Sequence, residues 1–251
     1  MIWNRTASKA AGLVEQGALL APSAAEAIRQ ASTAVLCVRD YAAVDAILPD
    51  RSDTVLVNLT SGHAAQARAT AERDLPYLDG AILSPAPAIG TPAASILCAG
   101  PRALFERAHP VLGEFAANTI YAGSDPGAAA AYDTALLDLF ATSVGGLVHA
   151  FAMAAAEGID PRRFAPLAKP IAGLLTEQID RFADQLAEKR FPASISSIAS
   201  LASTTGHLVE AADAHGIDAA ALRALRDLAD RAVAAGHGDS GYAALSRALA
   251  S

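Results

Sequence analysis

Short runs of uninterrupted apolar residues, each followed by a stretch with helical spacing, constrain this chain more than any other feature. The runs are TAVLCV at 33–38, TVLVNL at 54–59 and AASILCA at 93–99, with a shorter one at 119–122. A strand that is apolar on both sides needs cover on both faces, the situation of a mainly parallel sheet between helices. Residues 9–16, 24–29, 41–48, 64–73 and 101–112 supply those helices. Residues 1–123 are therefore expected to form an α/β layer.

After Gly123 the strand pattern stops. GSDPG at 123–127 reads as a turn and a helix start, with Ser124 and Asp125 as caps and Pro126 in the first turn. The helix is expected to run to about Glu157, where Gly158 suits a C-terminal stop. About thirty residues span roughly 45 Å, and such a helix usually joins domains or is buried by a partner chain. Residues 135–156 are mostly apolar but rich in Ala rather than Leu, carry Asp138 and His149, and lack basic or aromatic flanks. The expectation is a buried helix of a soluble protein, not a membrane span. Further helices are expected at 161–168, 171–189, 195–215 and 219–235, which makes residues 124–251 an all-α part.

A length of 251 residues buries a core without disulfide or metal staples. The net charge of −7 argues against a general affinity for nucleic acid. Cys37 and Cys98 both lie in apolar runs and are expected as buried thiols, with no metal site implied. MIWNRTASKA at the start has no apolar signal region, so a cytoplasmic location is expected.

Four places carry candidate chemistry. Asn4, Arg5, Thr6 and Lys9 offer donors and positive charge just before the first helix. In a dinucleotide-binding fold an acid at the end of the second strand binds the 2′-hydroxyl of NAD, whereas a basic residue accommodates the 2′-phosphate of NADP. The competing reading is a solvated Arg/Lys pair. Val38 and Arg39, then Asn58, Thr60 and Ser61, follow two of the apolar runs. In open α/β sheets ligands sit at those carboxyl ends, although Asn, Ser and Gly also serve as turn residues. Residues 78–90, rich in Pro and Gly, read as a stiff loop that walls the site. Asp133 precedes the apolar stretch of the long helix. Among apolar neighbours its pKa would rise toward neutrality; exposed, it would merely favour the helix dipole.

Taken together, WNRT with Lys9, CVRDYAAV, VNLTSG, YLDGAILSPAPAIG, YDTALLDLF and RAVAAGHGD resemble the imine reductases and reductive aminases of the β-hydroxyacid dehydrogenase superfamily. The strings cover most of the chain. The resemblance implies an N-terminal Rossmann domain, a long inter-domain helix and a helical C-terminal domain similar to that of 6-phosphogluconate dehydrogenase. It implies homodimers with intertwined helices and shared sites, and hydride transfer from NADPH to the C=N carbon of a small imine. Asn4, Arg5, Thr6 and Lys9 would hold the 2′-phosphate. Val38 and Arg39 would line the cofactor groove, and Asn58, Thr60 and Ser61 the nicotinamide side. Asp133 falls where the family carries a catalytic acid. No lysine lies between Lys9 and Lys169, which argues against hydroxyacid oxidation.

Three departures from the family pattern stand out. Ala141 occupies the place, eight residues after the acid, where relatives carry an aromatic group, which implies a roomier pocket. His63 and Ala64 replace Thr and Pro after NLTSG, and His63 is expected to be a partly exposed loop residue. The chain begins at what would be the second strand, so the first strand and its GxGxxG turn are expected to be missing, through a misplaced start or a truncated gene. NADPH binding is then expected to be weak or absent. The alternatives are a catalytically silent helical dimer and a reductase of another small carbonyl compound.

Overall fold

A computed structural model of the chain describes residues 1–249; Ala250 and Ser251, the end of the expected helical part, lie outside the described residues. Five strands form one sheet in the order β1-β2-β3-β4-β5: Thr33–Leu36, Val55–Asn58, Tyr77–Ile82, Ser95–Ala99 and Asn118–Tyr121. β1 pairs in parallel with β2, β2 with β3 and β4 with β5, while β3 and β4 are antiparallel. Helices α1 (Ala11–Glu15) and α2 (Ala24–Arg29) precede β1, α3 (Tyr41–Ile47) joins β1 to β2, α4 (Ala64–Ala71) joins β2 to β3, and α5 (Arg102–Leu112) joins β4 to β5.

The period of two in β2 divides the core. Val55 and Val57 join Ile96, Phe105 and Leu112 in one cluster, whereas Leu56 joins Ile28, Val44 and Tyr77 in another. All four β2 residues are fully buried, as expected of a strand covered on both sides. β1 has a single neighbour. The start of the chain makes a separate parallel contact, in which Ile2 N–H donates to Leu19 at 2.8 Å and Ala21 N–H to Ile2 at 2.8 Å.

Four sequence expectations are corrected. Residues 78–90 are not all loop: β3 occupies Tyr77–Ile82, with only Ile82 incompletely buried. The prolines and glycines that follow hide its end, and its antiparallel partner needs no crossover helix. Cys37 is exposed because β1 stops at Leu36, whereas Cys98 is buried. Desolvation first, and the charge of Asp79 second, push the Cys98 thiol up to about 12. The two helices expected at 161–168 and 171–189 are one, α7 (Pro161–Glu188), which runs through Pro166 and Pro170. Each interior proline removes one backbone hydrogen bond. The long helix α6 (Ala128–Ala156) is present but not buried: only 6% of its most apolar window is covered. Its length and composition alone would allow it to cross a membrane.

The chain divides into two compact units, Met1–Thr142 and Ser143–Ser251. The division lies inside α6, since the first turns of that helix pack with the sheet unit: Ala129 clusters with Leu97 and Ala99, and Ala130 with Tyr41 and Ala67. In the second unit α8 (Ile198–Ala214) packs against α9 (Ala220–Ala232). Ile198, Ala229, Ala232 and Ala244 form one small core there, and Val209, Ala212 and Ala219 another. Asp160 caps α7, accepting from the N–H groups of Arg162 and Arg163 at 2.8 and 3.2 Å.

Candidate active site

Both parts of the site lie in the sheet unit. The first is a groove of about 370 Å³ whose lining includes Asn4, Arg5, Thr6, Lys9, Val38 and Arg39. The contact between Ile2 and residues 19–21 holds the WNRT segment beside the loop that follows β1. Thr6 N–H donates to Asn4 Oδ1 at 2.9 Å, which turns the chain there. One carboxylate, Asp40, stands close by. It accepts from Arg39 Nε at 2.6 Å and caps α3 by accepting from Ala43 N–H at 2.9 Å. Arg39, then the Ala43 backbone, hold its pKa below the usual range, and the charge of Arg5 adds a smaller effect. Asp40 is thus already engaged, and Arg5 and Lys9 remain exposed. The groove offers exposed cationic and amide donors, the chemistry that suits a phosphate.

The second part stands at the carboxyl end of β2. Asn58 is fully buried and Thr60 nearly so. Asn58 Oδ1 accepts from Thr60 N–H at 3.1 Å, and Thr60 Oγ1 accepts from Val38 N–H at 3.1 Å. The last bond joins the loop after β2 to the loop lining the groove. Ser61 follows and is exposed. Its side chain is the hydrogen-bonding neighbour of Asp133.

Asp133 lies in the second turn of α6 and is only 5% exposed. Desolvation raises its pKa and the Ser61 hydrogen bond opposes the rise. Of the two readings open for this residue, the buried carboxyl is the one found. Two contacts set its position. Thr134 Oγ1 donates to Gly62 O at 3.3 Å, and Arg68 of α4 grips Asp125, just before α6, at 3.0 and 2.7 Å. That pairing with Arg68 drives the Asp125 pKa to about 2. His63 is exposed and stands at the start of α4, its N–H donating to Gln66 Oε1 at 3.1 Å.

A second buried carboxylate was not singled out by sequence reasoning. Asp79 of β3 is 1% exposed. Its Oδ1 accepts from the Tyr41 hydroxyl, from the Tyr77 hydroxyl at 2.9 Å and from Asn58 Nδ2 at 3.4 Å. An acid inside a buried apolar strand, YLDGAI, was the available cue. A literal G-x-G-x-x-G at 236–241 follows α9 rather than a strand. Its Gly241 fits a close packing contact, since a Cβ there would lie 2.6 Å from Pro192 O. It is a structural turn and not the strand-to-helix nucleotide loop.

Residues 1–123 match the NAD binding domain of 6-phosphogluconate dehydrogenase. Residues 125–251 match the C-terminal domain of NADPH-dependent reductive aminase-like proteins. The NADPH-dependent reductive aminase of Aspergillus oryzae is 28% identical over 257 residues, covering 97% of this chain and 86% of that protein. The solved reductive aminase of Aspergillus terreus, in complex with NADPH and ethyl levulinate, is 30% identical with a TM-score of 0.92, over 98% of this chain and 89% of that one. The imine reductase of Myxococcus stipitatus, in complex with NADP+, is 30% identical with a TM-score of 0.92, over 98% and 90%. With both halves matched and the site built from the same strings that suggested it, the chain belongs to the imine reductase and reductive aminase family.

Proposed function

We propose that this protein is an NADPH-dependent oxidoreductase that reduces the C=N bond of small imines. The observation that carries the reading is Asp133: a buried carboxyl with a raised pKa, hydrogen-bonded to Ser61 at the carboxyl end of β2. That relatives are named reductive aminases and imine reductases supports it. A buried carboxyl whose pKa desolvation raises suits proton donation to a nitrogen.

The groove fits the phosphate-bearing end of the cofactor. Arg5 and Lys9 meet the 2′-phosphate with charge, and Asn4 and Thr6 with neutral donors, while no free acid stands ready for a bare ribose. Val38 and Arg39 continue the groove, and the bond from Val38 to Thr60 ties it to the loop in which Ser61 is exposed; Asn58, expected on the nicotinamide side, is fully buried and shapes that loop from beneath. When bound, NADPH supplies the hydride that adds to the imine carbon. Asp133 gives a proton to the nitrogen, or holds the amine that forms, and Ser61 keeps the carboxyl aimed. Ala141, exposed two turns further along α6, leaves space for a bulky amine. A cytoplasmic setting, where NADPH is regenerated, suits the reading.

We further propose a homodimer with exchanged helices. α6 exposes Phe140 at 69% and Val148 at 65%, and α7 exposes Leu167 at 72% and Ile171 at 66%. Large apolar side chains left exposed along a helix in this way suit an interface.

The test is NADPH oxidation with a panel of cyclic imines and of ketone–amine pairs. Asp133→Asn is expected to lower turnover by about a hundredfold or more with little change in thermal midpoint. An unchanged rate removes Asp133 from the reaction. No turnover of any imine by the unaltered chain, beside turnover of keto acids, moves the reading to another carbonyl. No turnover of either leaves a silent dimer.

A further inference from the structure

Two elements meet at the contact between Ser61 and Asp133: the loop 58–62 and the start of α6. Beneath both lies Asp79. Its carboxylate gathers the hydroxyls of Tyr41 and Tyr77 and the amide of Asn58 onto one oxygen. Asn58 Nδ2 also donates to Tyr77 Oη at 3.0 Å, so the four side chains form a closed cluster. Each member has a structural reach. Asn58 receives the N–H of Thr60 and so shapes the loop. Tyr41 packs closely against Gly62, where a Cβ would come within 2.3 Å of its ring. The same ring packs with Ala130, three residues before Asp133. The Ala130 backbone also favours the ionised form of Asp79 by hydrogen bonding. Asp79 Oδ2 is buried without a hydrogen-bond partner of regular geometry.

We propose that Asp79 is a positioning residue. Through Tyr41 and Asn58, its buried carboxylate fixes the loop 58–62 against the first turns of α6 and thereby sets the Ser61–Asp133 contact. The cluster touches neither groove nor solvent: Tyr41, Asn58, Tyr77 and Asp79 are all at most 3% exposed. It therefore acts only through the loop and the helix. A buried network with every donor directed at one acceptor restricts its surroundings to one arrangement. The consequence for chemistry rests on the proposed role of Asp133; the consequence for geometry does not.

The experiment separates the two. Amide hydrogen exchange is followed in the full chain for the unaltered protein, Tyr41→Phe and Asp79→Asn, with urea unfolding in parallel. Tyr41→Phe removes one hydroxyl and keeps the ring against Gly62. Asp79→Asn keeps an acceptor at Oδ1. Both are expected to raise exchange about tenfold at 59–62 and 130–134, with the protection of β2, β4 and α5 unchanged. Uniform loss of protection, or no change at the two segments, overturns the proposal. In the turnover assay the same variants are expected to lower kcat about three- to tenfold with KM for the imine within twofold. Tyr41→Phe, which keeps the carboxylate, is expected to be the milder. A change in KM alone also overturns it. If the unaltered chain reduces no imine, the role of Asp133 fails while the exchange data still decide the role of Asp79.

Discussion

At Asp79 burial and hydrogen bonding pull in opposite directions, and burial wins. Desolvation raises the carboxyl from 3.8 to about 6, against the lowering effects of Tyr41, Tyr77, the Ala130 backbone and Asn58. The sign for stability follows. The folded state holds this proton between about pH 4 and 6 while the unfolded chain releases it. Stability from this group is therefore greatest below pH 4, falls as pH rises to 6, and is level above. The difference is about 3 kcal/mol. Asp79→Asn should abolish it. Urea unfolding at pH 4 and pH 7 is expected to show the variant gaining on the unaltered protein as pH rises, and parallel curves would refute the assignment. Arg5 and Lys9 make a second prediction at this scale. Each exposed cation facing a 2′-phosphate is expected to contribute about 1 kcal/mol. Arg5→Ala with Lys9→Ala should weaken NADPH binding by roughly tenfold to thirtyfold and leave NADH unaffected. Calorimetry with both cofactors checks it, and equal losses for the two would show that the pair does not read the phosphate.

Among the elements, β3 shows how a strand escapes its own sequence. It is six residues long and buried, but an acid and a glycine interrupt its apolar run. Both have tertiary reasons. Asp79 serves the tyrosine cluster, and Gly80 makes room: a Cβ there would come 2.7 Å from Leu59 Cδ2 and 2.8 Å from Leu97 O. A contact with backbone cannot be relieved by a side-chain rotation. Gly80→Ala is therefore expected to destabilise the protein by about 1–3 kcal/mol and to displace Leu59, next to Thr60. A thermal midpoint within one degree of the unaltered protein would contradict this. α7 makes the complementary point. Pro170 reads as a break between two helices, yet the helix continues through it as it does through Pro166, because local propensity is a weak prior.

For the molecule as a whole, the apolar faces of α6 and α7 remain to be covered. Ile171 and Leu175, 66% and 57% exposed, are one turn apart on α7. Burying such a side chain stabilises an association by about 1.5–3 kcal/mol. Ile171→Glu with Leu175→Glu is thus expected to weaken dimerisation by at least about a hundredfold. Light scattering should then report a dimer for the unaltered chain and a monomer for the variant. A monomeric unaltered chain would remove the dimer from the proposal.

The sequence by itself determined the order of elements and the texture of the two halves. Continuous apolar runs such as VLVN, set between helical stretches, read as strands covered on both faces, and the Ala-rich stretch after Gly123 reads as a long helix. It also placed Asn4, Arg5, Thr6 and Lys9, and Asn58, Thr60, Ser61 and Asp133, in segments that follow strands or open a helix. Tertiary structure alone decided three things. It decided that Asp133 is buried, because that depends on the loop 58–62 lying against α6, and sequence spacing does not encode such a distance. It brought Tyr41, Asn58, Tyr77 and Asp79 from three separate elements onto one oxygen. It also left α6 exposed where apolar composition implied burial, because hydrophobicity states that a surface must be covered and does not state by which chain.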